Sequence, residues 1–95
     1  MTLEDQYKLL TEAYYGIIEI DEYELKEYIL KKIKELMINF EKTYTGIDYK
    51  QIEDYVKDEV DIKTKLQSSL ILLNDLNESL ELILLIKERL KNLQS

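Results

Sequence analysis

Residues 61–93 run for 33 positions without a glycine or a proline. Almost every residue in that stretch is a fair helix former, and one helix of that length would span roughly 50 Å. Leu66, Leu70, Leu73, Leu76, Leu80, Ile83, Leu84 and Leu90 recur at three- and four-residue steps, as one apolar helical face should. Leu82, Leu85 and Ile86 lie off that stripe and widen the apolar surface around residues 80–86. The stretch reads as a long C-terminal helix that neighbours must cover nearly all round. The alternative is a break at Asn74, Asp75 and Asn77, poor helix formers and good caps, which would give two segments, 61–73 and 77–93.

The preceding residues are equally short of interruptions, with Gly16 and Gly46 the two glycines of the chain. Thr2 and Asp5 resemble a capping box. Leu3, Tyr7, Leu10, Tyr14 and Ile17 follow at helical steps, so a helix is predicted over 3–15 with Gly16 at its C′ position. Asp21 and Glu24 form a second box, with Ile20 and Leu25 as its hydrophobic staple. The helix it opens runs to about residue 44, shows Leu25, Tyr28, Ile29, Ile33, Leu36, Met37, Phe40 and Tyr44 on one face, and is closed by Gly46 and Ile47. Asp48 and Gln51 start a third helix, 48–60, with Ile52, Tyr55, Val56 and Val60 on one side. Asp61 is a candidate N-cap, and both a bend and a direct run into the last stretch are open there. No strand emerges. The fold expected is all-α: a single domain, 1–95, built as a bundle of three or four helices with a long C-terminal helix. The expected core is Leu10, Tyr14, Leu25, Ile29, Ile33, Leu36, Phe40, Ile52, Val56, Leu66, Leu70, Leu73, Leu80, Ile83 and Leu84.

Composition narrows the chemistry. Cysteine and histidine are absent. That removes thiolates, the commonest general base and the commonest transition-metal ligand. Glu24 with Glu27, or Asp54 with Asp58, are acids at helical spacing, but di-metal bundles use Glu-x-x-His elements. Acids in first helical turns are also what the helix dipole favours. Ser68, Ser69, Ser79 and Ser95 have no base near them in sequence, and no glycine-rich phosphate loop exists. The expectation is a non-enzymatic protein without a cofactor or a metal. The first residues are acidic where a secretory signal would be basic. The longest apolar runs, 70–73 and 82–86, fall far short of the roughly 20 residues that span a bilayer. A cytoplasmic protein that does not enter membranes is expected. Abundant Ile, Lys, Glu, Tyr and Asn with a single Ala point to an AT-rich genome, that of a low-GC bacterium or its phage.

Charge points to the kind of partner. Thirteen Lys and Arg against 20 Asp and Glu leave a net charge of −7, the wrong sign for direct contact with nucleic-acid phosphates. Residues 1–30 carry eight acids against two lysines, and residues 48–61 carry six against two. Tyr15, Tyr23 and Tyr49 lie off the core stripes and beside acids. Together with Glu19, Asp21, Glu22 and Glu24 they form a candidate partner-binding face, since tyrosine offers contact area at small entropic cost. AT-rich codon usage plus core tyrosines explains the same residues without a partner. The expected function is an inhibitor, encoded by a phage or other mobile element, that covers a basic surface of a larger protein, such as a nucleic-acid-binding one. The alternative is an assembly protein of a phage particle, motivated by the long apolar helix. Independently of function, Leu82, Leu85 and Ile86 form a second apolar strip on the long helix, and a homodimer through the C-terminal helices is expected. A break at 74–77 would let the last segment fold back and make a monomer sensible.

Residues 9–34 contain Glu12-Ala13-Tyr14-Tyr15, Glu19, and the pattern Glu27, Ile29, Ile33, Lys34. With a one-residue gap, this stretch resembles the helical hairpin of the Sda family, small inhibitors of sporulation histidine kinases. The resemblance covers about a quarter of the chain and implies kinase inhibition as a further alternative. It assigns no functional residue.

Overall fold

The computed structural model describes residues 1–20, 26–78 and 80–94. Among them the chain forms five α-helices and no strand: α1 (Leu3–Ile18), α2 (Lys26–Thr43), α3 (Tyr49–Glu59), α4 (Ile62–Leu76) and α5 (Leu80–Gln94). The all-α bundle is as expected. The long C-terminal helix is not there: α4 and α5 have 15 residues each, about 22 Å apiece. Asn77 makes the break. It takes the left-handed conformation, φ 56° and ψ 41°, which asparagine tolerates better than most residues. Its N–H donates to the Asn74 carbonyl at 3.1 Å, and the Glu78 N–H donates to the Leu73 carbonyl at 3.1 Å. These two bonds are a Schellman motif, which satisfies the last carbonyls of α4 and turns the chain.

Because α5 folds back on α4, it covers its own apolar side. Leu82, Ile83, Ile86 and Leu90 are buried in the common core with Leu66, Leu72 and Leu73 of α4 and Ile29, Ile33 and Met37 of α2. Leu82 and Ile86 are fully buried and Leu85 is 38% exposed. Of the second outward strip expected of these three, Leu85 alone reaches the surface. Leu80 and Leu84, expected in the core, are 70% and 55% exposed. Ile29, Ile33, Val56, Leu66, Leu73 and Ile83 are buried as expected. Leu10, Tyr14, Phe40, Ile52 and Leu70 pack against the core half-buried, and Leu36 is half-buried. Leu25 lies outside the described residues. Tyr28 is mostly exposed.

The hub of the bundle is α1, which packs on α2, α3 and α4, while α4 carries α5. Its start is set by Thr2, whose hydroxyl accepts from the Asp5 N–H at 3.1 Å. Its end differs from expectation. The helix runs through Gly16 to Ile18, and Lys26 donates from Nζ to the Ile18 and Ile20 carbonyls at 2.7 Å each. That cation serves the negative end of a helix whose own last turn has no basic residue. Gly16 is buried against α4, where a Cβ would meet Ser69 Oγ and lie 2.6 Å from the Lys65 carbonyl oxygen. The glycine is there so that two backbones can approach closely. Ser69 Oγ crosses the same contact, donating to the Ala13 carbonyl at 3.0 Å and the Lys65 carbonyl at 2.9 Å. One turn back along α1, Ser68 Oγ donates to the buried Glu12 carboxylate at 2.7 Å. Further along, Gln6, Leu9 and Leu10 face Ile71 and Asp75 across one depression. These pairings make α4 antiparallel to α1.

α3 begins at the Asp48 cap, whose carboxylate accepts from the Gln51 N–H at 3.1 Å. It ends at Val60 in extended conformation, and Asp61 caps α4 by accepting from the Thr64 N–H at 2.8 Å. α3 runs in the same direction as α1. Tyr49 meets Tyr7 with ring centroids 4.6 Å apart, Tyr55 meets Lys8, and Lys57 meets Tyr15.

Candidate protein-binding surface

Tyr49 belongs to the framework. Its ring joins Tyr7 and Phe40, with Tyr44 packed on Phe40, in one aromatic cluster. Its hydroxyl donates to the Tyr44 carbonyl and, at 3.4 Å, to the Phe40 carbonyl. Burial first, then the Glu41 charge, raises its phenol above the ordinary range. Burial first, then the Glu53 and Glu41 charges, pushes the buried Tyr7 phenol well above the ordinary range. Tyr49 thus closes the α2–α3 junction and is no exposed contact residue.

Tyr15 and Glu19 lie at the other end of α1. Eight residues separate Tyr7, at the aromatic cluster, from Tyr15, about 12 Å along the helix. Tyr15 is half-buried, edge-on to Tyr14, with the Lys57 ammonium 5.4 Å from its ring centroid. A hydrogen bond to Tyr15 and then the phenol's charge raise Lys57 above the usual lysine range. Glu19 is exposed at the C-cap of α1. Asp21, Glu22, Tyr23 and Glu24 lie outside the described residues. The structure does not gather Tyr15, Glu19 and Tyr49 into one patch.

What it does gather is a second acidic face. Gln51, Asp54, Tyr55 and Asp58 fall at three- and four-residue steps, so they share one stripe of α3, and all four are exposed. Opposite them stand Glu4, Asp5 and Lys8 of α1. Between the two helices runs a groove of about 240 Å³ lined by Glu4, Asp5, Lys8, Gln51, Ile52 and Tyr55. Tyr55 is 50% exposed, although its spacing from Ile52 and Val56 had placed it on the inner side. Its polar neighbours at i−4, i−1, i+3 and i+4 were the signal that it faces out.

The lysines of this region are engaged elsewhere. Lys8 lies over the Tyr55 ring, 5.2 Å from its centroid, and 3.9 Å from buried Glu12. Lys57 lies over Tyr15. Among the described residues the ion pairs are Lys8–Glu12 and Lys32–Glu78. Neither uses Glu4, Asp5, Asp54 or Asp58, although Lys57 feels the Asp54 charge and Lys8 shares the groove wall with Glu4 and Asp5. No three acids among the described residues converge as ligands for one metal ion, and no helix among them is long and apolar enough to cross a membrane. Comparison with protein families, with curated proteins and with solved structures finds no match.

Proposed function

We propose that the chain is a non-enzymatic binding module whose acidic α1/α3 face docks on a basic surface of a larger protein. The observation that carries this is the concentration of exposed carboxylates here: Glu4 and Asp5 line one groove with the exposed Tyr55, and Asp54 and Asp58 share the α3 stripe of that tyrosine. Like charges held together cost stability. They also steer a basic partner and suppress wrong ones. The narrower form of the reading is an inhibitor, encoded by a phage or another mobile element, that masks a surface its host protein uses for a polyanion.

The experiment is affinity capture from a bacterial host, with the wild type beside an Asp54→Lys, Asp58→Lys variant, followed by mass spectrometry. Both residues are exposed, so the variant keeps its fold by circular dichroism. A partner held by the wild type and lost from the variant, and weakened by salt, supports the proposal. A partner held equally by both overturns it.

A further inference from the structure

The α1/α3 groove already holds a cation of the chain's own. The Lys8 ammonium, 5.2 Å from the Tyr55 ring centroid, is within the roughly 6 Å range of a cation–π contact. Lys8 itself lines the groove, which Ile52 and Tyr55 make partly apolar. At about 240 Å³ the groove falls below the roughly 300–1,000 Å³ of small-molecule pockets. Its dimensions suit a side chain carried by another protein. Glu4 and Asp5 in its α1 wall select the sign of that side chain.

We infer that this groove is the seat for an arginine side chain of the protein partner, and that Lys8 is the intramolecular occupant it displaces. The inference rests on the reading of this face as a protein-binding surface and names the chemistry recognised there. Arginine fits better than lysine. Its planar guanidinium stacks on an aromatic ring, is more weakly hydrated than an ammonium, and offers five donors in a fork. Glu4 and Asp5 in the groove wall, with Asp54 and Asp58 on the α3 stripe of Tyr55, supply carboxylate acceptors outside the ion pairs of the described residues. A second copy is a poorer occupant. Its own α1/α3 face is equally acidic, so two copies repel when brought together through it.

The test uses the full chain, labelled with nitrogen-15, and a synthetic amphipathic peptide with arginines at i and i+4 among leucines. Matched peptides carry lysine or glutamate at those two positions. The arginine peptide is expected to bind, with amide shifts centred on residues 4–8 and 51–55. The lysine peptide binds more weakly and the glutamate peptide does not bind. Tyr55→Ala loses about three- to fivefold in affinity and Tyr55→Phe keeps it, because the ring face makes the contact. Lys8→Gln frees the ring and tightens binding more than Lys50→Gln, which removes the same charge from a side chain that does not line the groove. Equal effects of Lys8→Gln and Lys50→Gln, with Tyr55→Ala unchanged, overturn the seat but leave the acidic-face reading intact. A glutamate peptide bound as well as the arginine one, or no binding of the arginine peptide, also overturns the seat. The capture experiment with the natural partner then judges the broader reading separately. Self-association of the wild type without peptide, abolished by Tyr55→Ala, would assign the groove to a second copy and overturn the inference.

Discussion

Replacing Gly16 by alanine tests the tightest contact of the bundle. In an exposed helix interior, glycine to alanine is stabilising by about 1 kcal/mol. Here the new Cβ would lie 2.6 Å from the Lys65 carbonyl oxygen, where ordinary contact begins at 3.4 Å. The helices must separate by about 0.8 Å, and the obstacle is backbone, which cannot swing aside. Overpacking of this kind costs about 1–3 kcal/mol. Separation also stretches the Ser69 Oγ bond to the Ala13 carbonyl, which at 3.0 Å contributes about 1 kcal/mol. Against the helix-propensity gain, the net is a loss of about 1–3 kcal/mol. For a chain of this size, each 1 kcal/mol lowers Tm by about 4–8 °C. Urea unfolding followed by far-ultraviolet circular dichroism measures it. Gly16→Asn separates this account from a helix-end glycine. Asparagine is tolerated at a left-handed cap, so it would cost little there, whereas against α4 its larger side chain costs more than alanine. Adding Ser69→Ala to Gly16→Ala relieves one contact and leaves the Lys65 carbonyl, so rescue is partial. A stabilised Gly16→Ala protein, or an asparagine variant more stable than the alanine one, would refute the close approach of α1 and α4.

Other expectations follow from single residues. Leu82→Glu buries an unpaired carboxylate in the core and should cost about 3–5 kcal/mol, while Leu84→Glu, two residues on and on the exposed side, stays within about 0.5 kcal/mol; sedimentation equilibrium run in parallel shows whether the loss is one of folding or of self-association. Asn77→Gly should hold or slightly raise stability and Asn77→Ala should lower it by about 1–2 kcal/mol, because only the alanine resists the left-handed conformation. The backbone N–H of Thr64 lowers the Asp61 carboxyl below its ordinary value of 3.8. A carboxyl lowered in the folded state contributes above that value and loses the contribution as pH falls through the folded one. Asp61→Ala should therefore be less stable than wild type at neutral pH, and the gap should close below about pH 4 in a denaturant series.

Local chemistry was legible in the sequence wherever it depends on neighbours three residues apart. Thr2, Asp48 and Asp61 cap their helices through the N–H three residues on, as their positions indicate. Gly16 was misplaced because a glycine after an apolar stripe looks the same whether it ends the helix or lets another helix approach. Only Ser69 and Lys65, more than 45 residues away in sequence, distinguish the two. α5 was misread for a related reason. Leucines and isoleucines stand on several of its sides, so Leu80 with Leu84 and Leu82 with Ile86 are equally good inner pairs by spacing. The Schellman turn at Asn77 decides between them by setting the direction from which α5 returns. The acidity of 48–61 was plain from composition, but its pairing with Glu4 and Asp5 is tertiary. Tyr55 was hidden by its proximity to Ile52 and Val56.

The unpaired face makes stability and binding respond oppositely to salt. Asp54 and Asp58 stand at i and i+4 on α3, a like-charge spacing that costs roughly 0.2–0.5 kcal/mol, and Glu4 and Asp5 add to the same field across the groove. The two ion pairs of the described residues, Lys8–Glu12 and Lys32–Glu78, use none of these four acids. Raising ionic strength shortens the Debye length from about 30 Å at 0.01 M to about 8 Å at 0.15 M. Over that range the repulsion is screened and Tm should rise by a few degrees. The partly buried Lys8–Glu12 pair is screened less and should not cancel the gain. Asp54→Asn with Asp58→Asn should mimic the effect at low salt, raising Tm while weakening capture of the partner. Such opposition is expected where charges are kept for function at the expense of the fold. A Tm that falls with sodium chloride over this range, or an asparagine double variant less stable than wild type, would mean that the acids are held by favourable contacts and are not a repelling set awaiting a cation.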